Sequence, residues 1–144
     1  MPKSVRSWLT AKEAGLIRAS FIKATAKPGE ISTLFYQRLF TLDPSVRGLF
    51  HGDMREQGRK LISTLTFIVE SLDQPERLLP TVRELGVRHA NYGVKEHHYA
   101  TVGEALVWGL ERAVGRTFTK ETRVAWKRIY AGLADAMIDA AKNC

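Results

Sequence analysis

Cysteine is nearly absent from this chain. Cys144 stands alone, so no intrachain disulfide can brace the fold, and a reducing, cytoplasmic setting is expected. No run of 18 or more apolar residues occurs, which leaves no candidate membrane-spanning helix and no expected membrane partner. The opening stretch Met1-Pro2-Lys3-Ser4-Val5-Arg6-Ser7-Trp8 has no apolar core, so no secretory signal is expected. CxxC pairs, a nucleophile elbow, a phosphate loop and HExxH are all missing, and with them the chemistries those motifs carry. Strand-like alternation, internal repeats and low-complexity tracts are missing too. One domain over residues 10–144 is therefore expected, preceded by a short extension, residues 1–9.

What is present is ordinary for a globular chain. Its 144 residues are 44% apolar and 26% charged, enough to bury roughly 68% of the surface exposed when unfolded. The net charge of +7 raises nucleic acid as a partner. Yet 11 Lys/Arg fall in residues 1–60 and 11 in 61–144. The densest cluster, Arg55, Arg59 and Lys60, is interleaved with Asp53 and Glu56. Such an even spread describes a solvated surface rather than a groove for a polyanion.

Helical spacing runs through the chain. Thr10-Ala11-Lys12-Glu13 has the form of a capping box and opens a helix with Leu16, Ile17, Phe21 and Ala24 on one face, ending before Lys27-Pro28-Gly29. A second helix is predicted from Glu30 to Thr41, with Ile31, Leu34, Phe35 and Leu39 inward. Asp43-Pro44 starts a short third. Asp53 with Glu56 opens a long helix carrying Leu61, Ile62, Leu65, Ile68, Val69 and Leu72 at spacings of three and four. Pro75 and Pro80 punctuate the next stretch, so the helix there is predicted to be short, Pro80 to Ala90. Two long helices close the chain, Lys95 to Val114 and Thr119 to Ala141, broken at Gly115-Arg116-Thr117.

The residues that suggest chemistry lie on the middle helices. His89 sits near the end of its helix, with Leu85 one turn earlier and Gly93-Val94 where the chain turns away. Alone, such a histidine is ordinarily a surface or core residue. Gln57 lies 32 residues upstream, Leu61 projects on the same side of that helix, Phe50 precedes it, and Tyr36 comes from the second helix. One imidazole faced by polar and aromatic groups from other helices is how a protein holds a haem iron while leaving the opposite side for a small gas. The imidazole must then be neutral, its second nitrogen tied by a hydrogen bond that sets the tautomer. Tyr36 and Gln57 would donate to a bound gas, roughly 1–2 kcal/mol each in a dry pocket. Phe50, Leu61, Leu85, Val94 and Val102 would form its apolar wall. Lys60 and Arg88 are placed to meet the haem propionates, with plain surface charge as the alternative. His51 could contact a propionate or compete for the iron. His97-His98 with Glu104 form no expected metal cluster, because neighbouring residues on a helix point apart.

Six ordered blocks carry a family resemblance from Thr10 to Ala141. They are Leu34-Phe35-Tyr36 with Leu39-Phe40, Asp43-Pro44-Ser45-Val46 with Leu49-Phe50, Gln57-Gly58-Arg59-Lys60-Leu61, His89-Ala90-Asn91-Tyr92-Gly93-Val94, His98-Tyr99 with Val102-Gly103, and Ala125-Trp126 with Tyr130. The chain resembles the bacterial single-domain haemoglobins and the globin domain of flavohaemoglobins. The resemblance implies an all-α globin fold of about eight helices, three over three around haem b. It makes His89 the proximal ligand, Tyr36, Gln57 and Leu61 distal, Phe50 the phenylalanine on the haem face, and Tyr99 a neighbour of the proximal histidine.

Two departures bear on activity. Flavohaemoglobins append a flavin- and nicotinamide-binding reductase, and this sequence has none. Many relatives also carry a glutamate that works with a tyrosine like Tyr99 to enrich the proximal histidine. The matching position is Ala141, and Asp139 lies about 200° away around the helix. The expected function is therefore reversible binding of dioxygen and other diatomic gases, nitric oxide and carbon monoxide included, rather than catalysis. Nitric oxide dioxygenation with a separate reductase is the alternative. A cofactor-free basic module binding nucleic acid comes third, and it predicts a colourless protein with strongly salt-dependent affinity.

Overall fold

Local signals close most of the helices where the sequence places them. A computed structural model describes residues 8–27 and 29–143. The readings of residues 1–7, Pro28 and Cys144 lie outside the described residues. Six α-helices and two 3₁₀ segments occur among the described residues, and no strand. The order is α1 (Ala11–Ala24), α2 (Glu30–Leu42), a 3₁₀ segment (Pro44–Leu49), α3 (Met54–Glu70), α4 (Pro75–Asn91), α5 (Glu96–Val114), a 3₁₀ turn (Gly115–Thr117) and α6 (Lys120–Lys142). Both capping-box bonds at Thr10 form: its hydroxyl accepts from Glu13 N at 3.1 Å, and Glu13 accepts from Thr10 N at 3.0 Å. Asp53 and Thr119 cap α3 and α6 by accepting from Arg55 N and Thr122 N.

One element differs from its sequence reading. The short helix from Pro44 forms as expected, with 3₁₀ winding. Helix α4 runs from Pro75, not Pro80, with Pro80 inside it. Pro75 occupies the first helical position, where its missing N–H costs nothing. Pro80 leaves only the carbonyl of Glu76 without its helical donor, and both residues are exposed, so water can satisfy it. The result is a 17-residue helix that reaches from the core to the site with one end anchored.

Helices α1, α5 and α6 pack against one another, α2 lies on α5, α4 lies on α6, and α3 touches α1 and α2. This is the expected three-over-three arrangement. Its centre is apolar: Ile17, Ile31, Leu39, Leu78, Leu110 and Ile129 are fully buried. The apolar stripe of α3 grades from buried Leu65, Ile68 and Val69 to half-buried Leu61 and Ile62, so one end of the helix serves the core and the other the site. Trp126 donates its indole N–H to Ser20 Oγ at 2.8 Å, a buried bond joining α1 to α6.

Glycines set two helix crossings. At Gly86 an added Cβ would fall on the backbone carbonyl of Met137, so α4 and α6 touch nearly main chain to main chain. At Gly132 an added Cβ would overlap the indole of Trp8, which lies half-buried on α6. Trp8, which the sequence placed in the extension, thus packs on the helical body. A Gly132→Leu variant should expel that indole. The expected outcome is a red-shifted tryptophan emission and a stability loss of about 1–2 kcal/mol in chemical denaturation; an unchanged emission maximum would show that Trp8 is not docked in solution.

Candidate functional site

Helix α4 presents His89 two residues before its end at Asn91. The imidazole is half-buried, and its Nδ1 lies 2.7 Å from the carbonyl of Leu85, one turn earlier. A carbonyl can only accept, so Nδ1 carries the proton and the lone pair of Nε2 is left for something else. Burial holds the His89 pKa below the usual histidine value, and the Leu85 bond opposes this less strongly. The neutral form is therefore the favoured one. A neutral imidazole with its tautomer pinned is a transition-metal ligand in waiting. No group of three or more His, Cys, Asp or Glu able to hold a metal occurs among the described residues. A metal on His89 would need its other ligands from a prosthetic group, and a macrocycle supplying four nitrogens fits that donor set.

Tyr99 from α5 stacks near the imidazole, with ring centroids 6.5 Å apart and planes at 28°. Its own position is fixed from α6: Tyr130 donates its hydroxyl proton to the Tyr99 carbonyl at 2.6 Å. Gly103 makes this possible, since a Cβ there would stand 2.5 Å from Tyr130 Cε2. Beside Tyr99 runs a groove of about 130 Å³ lined by Ala90, Val94, Ile138 and Ala141, with Glu96 and Lys142 paired at 3.5 Å. Position 141 does lie alongside Tyr99, and it brings a methyl group instead of a carboxylate. Asp139 faces elsewhere, 4.0 Å from Arg83 in a separate cleft.

On the other side, Tyr36 is enclosed by aromatic rings. Phe35 meets it edge-on at 4.9 Å, Phe40 stacks at 5.9 Å and Phe50 meets it edge-on at 5.4 Å, while Phe40 and Phe50 are 5.7 Å apart. Burial pushes the Tyr36 phenol up to about 12, so it stays a proton donor at any physiological pH. Its hydroxyl donates to the main-chain carbonyl of Gln57 at 3.3 Å, and Gln57 Nε2 donates to the carbonyl of His51 at 3.4 Å. Both bonds are long and weak, so both donors can turn to a better acceptor at little cost. Helix α3 comes this close to α2 because position 58 is glycine: a Cβ there would be 2.9 Å from Ser32 Oγ.

The two groups meet where Leu49 Cδ2 comes within 3.5 Å of a Cβ placed on Gly93. That contact sets the end of the His89 helix against the segment leading to Phe50. Phe50, Leu61, Leu85, Val94 and Val102 are all half-buried, as a wall facing a bound group would be. Lys60, Arg88 and His51 are exposed, and Arg88 is engaged with Glu84 on its own helix. His97 and His98 do not point apart as expected. Their ring centroids are 4.2 Å apart, because His98 folds back to accept the Lys95 N–H at 2.8 Å and cap α5. Phe40, Gly103 and Tyr130 stand in the family blocks, but the sequence reading assigned them no role at the site. Glycine inside a helix is the signal that could have found the Tyr130 contact.

The family model for Globin matches residues 33–137. The flavohemoprotein of Bordetella parapertussis is 34% identical over 127 residues, covering 83% of this chain but 32% of that protein. The chain thus spans about a third of the length of such relatives. Among solved structures, an engineered carbene transferase built on a proposed nitric oxide dioxygenase of Rhodothermus marinus is 30% identical, with a TM-score of 0.83 over 94% of each chain. A bacterial globin of Campylobacter jejuni shares the fold at 24% identity, with a TM-score of 0.79 over 93% of this chain and 97% of that one.

Proposed function

The chain belongs to the globin family, and we propose that it holds haem b through His89 Nε2 and binds dioxygen and other diatomic gases reversibly. The observation that carries this reading is the Nδ1–H bond from His89 to the Leu85 carbonyl. It commits one ring nitrogen to the protein and leaves the lone pair of the other available for a metal. When bound, the haem would supply an iron able to take up a diatomic molecule.

The residues then divide the work. Leu85 fixes the imidazole tautomer, and Tyr99, itself held by Tyr130, limits how the ring can rotate. Phe50 and Phe40 hold the Tyr36 phenol and keep water from it. Tyr36 and Gln57, released from their long backbone bonds, would donate to a bound gas. Leu61, Leu85, Val94 and Val102 exclude solvent, which slows oxidation of the iron. Lys60 and Arg88 serve the propionates, Arg88 by leaving Glu84. Two donors suit tight, slowly released oxygen and a scavenging role.

A second reading, nitric oxide dioxygenation with a separate reductase, draws on the names of the Bordetella and Rhodothermus proteins. Ala141 beside Tyr99 argues against a strongly electron-rich His89. It predicts little nitric oxide consumption even with a reductant added.

The test is the visible spectrum of the purified protein, ferric and dithionite-reduced, with and without carbon monoxide. An intense Soret band that shifts on adding carbon monoxide is expected. A colourless protein that takes up no added hemin would overturn the reading. Within a coloured protein, Tyr36→Phe should speed oxygen dissociation roughly tenfold, the loss of one hydrogen bond worth about 1–1.5 kcal/mol in a dry site. Stopped-flow exchange with carbon monoxide measures it, and an unchanged rate would remove Tyr36 from the distal role.

A further inference from the structure

Away from the haem site, Trp108 on α5 carries two guanidinium groups. Arg38 Cζ, from α2, lies 5.2 Å from the indole centroid, and Arg112 Cζ, one turn further along α5, lies 4.6 Å from it. The two cations are thus no more than about 10 Å apart, about one Debye length at 0.1 M salt. Neither forms an ion pair with a carboxylate among the described residues; the acid nearest in sequence, Glu111, is engaged with Arg123 instead. Arg38 Nε is fully buried and has no hydrogen-bond partner.

Ordinarily two surface arginines repel, move apart and take separate counter-ions. Here the indole holds both. With Nε sealed, Arg38 loses much of the rotamer freedom that a long side chain surrenders on binding. What remains accessible is a pair of planar donor forks on one aromatic support, carrying two charges with no carboxylate partner among the described residues. Planar forks of this kind match the oxygens of phosphate in pairs.

We propose that Arg38 and Arg112, clamped on Trp108, form a binding site for a phosphate-type oxoanion, either inorganic phosphate or a pyrophosphate group. The site lies on α2 two residues beyond Tyr36, about 200° around the helix, so it faces away from the distal side chain. It does not depend on the haem reading.

Titration with inorganic phosphate and with pyrophosphate, at constant ionic strength against chloride, tests this. The amide and indole N–H resonances of the folded protein report binding with or without haem. Saturable shifts are expected at the Trp108 indole N–H and along residues 36–40 and 108–114. Affinity should fall at least tenfold in Arg112→Gln and again in Arg38→Gln. Preference for pyrophosphate would identify a phosphoanhydride ligand, and equal affinity the free ion. Shifts that do not saturate, or that survive both substitutions, would overturn the site. If Arg38→Gln misfolds by circular dichroism, Arg38→Lys replaces it: it keeps the charge but removes the planar fork, and weaker binding is still expected.

Discussion

If His89 holds the haem as proposed, replacing it with glycine is expected to strip the protein of that bond to the iron. The substitution removes Nε2 together with the Nδ1–H bond to the Leu85 carbonyl, 2.7 Å long. Losing a partner that merely orients a ligand costs about 10–100-fold in metal affinity, so losing the ligand itself should exceed that range. Haem should transfer to apomyoglobin-like acceptors more than about 100-fold faster. Free imidazole added to the variant should restore the spectrum, since glycine leaves a hole of the right shape beside Leu85 and Tyr99. Retention of the original ferrous and carbon-monoxide spectra without imidazole would show that another group holds the iron, and His51 would then be the first to test. The protein itself should stay folded, because His89 belongs to no fully buried cluster. That separates loss of the ligand from loss of the fold.

Gly86→Val should do the opposite, damaging the frame while leaving every site residue in the sequence. Its side chain would enter the space of the Met137 main chain, and a backbone carbonyl cannot rotate aside like a flexible side chain. Helices α4 and α6 must separate, opening the contact between them. Overpacking of this kind costs about 1–3 kcal/mol, and a clash with main chain belongs at the upper end. At about 3 kcal/mol the thermal midpoint falls by roughly 10 °C for a chain of this size. Because Gly86 lies one turn before His89, the shift also moves the imidazole relative to Tyr99. Weaker haem retention should therefore accompany the lower midpoint. Calorimetry and haem-transfer kinetics measure the two effects separately. An unaltered midpoint would mean that the helices cross at a greater distance than the structure places them.

Much of this molecule can be read along the chain, because its governing interactions are local. The Thr10 box, the Asp53 cap and the three-and-four spacing of α3 involve neighbours within one helical turn, and they form as expected. His89 and Leu85 are also one turn apart, so once the helix is drawn their hydrogen bond follows from its pitch. Proline was the misleading local signal. Pro80 looks like a boundary, yet the carbonyl it leaves unpaired is at the surface and costs little. The 3₁₀ winding after Pro44 and the fold-back of His98 were hidden for a similar reason, since each depends on how a short segment ends.

What lies between distant residues was harder to see. The meeting of Tyr36 with the Gln57 main chain depends on how closely α2 and α3 approach, which Gly58 decides. Tyr130 finds the Tyr99 carbonyl across 31 positions, and only the missing side chain at Gly103 hints at it. Arg112 stands one turn from Trp108 on its own helix, but the stacking of Arg38 on the same indole has no signature in spacing, because that cation arrives from another helix.

The bond between Ser20 and Trp126 joins residues 106 positions apart, and that separation matters for how the protein is made. A ribosome delivers α1 early and α6 much later. Helix α1 can meet α3 and α5 during synthesis, yet the surface prepared for the indole waits until α6 has emerged. Ser20 meanwhile satisfies itself by donating to the carbonyls of Leu16 and Ile17, so the waiting hydroxyl is never stranded. At about 5–20 residues per second, the nascent chain spends seconds in that unfinished state. A buried tryptophan that settles only at the close of translation makes its fluorescence a clock for completion of the fold.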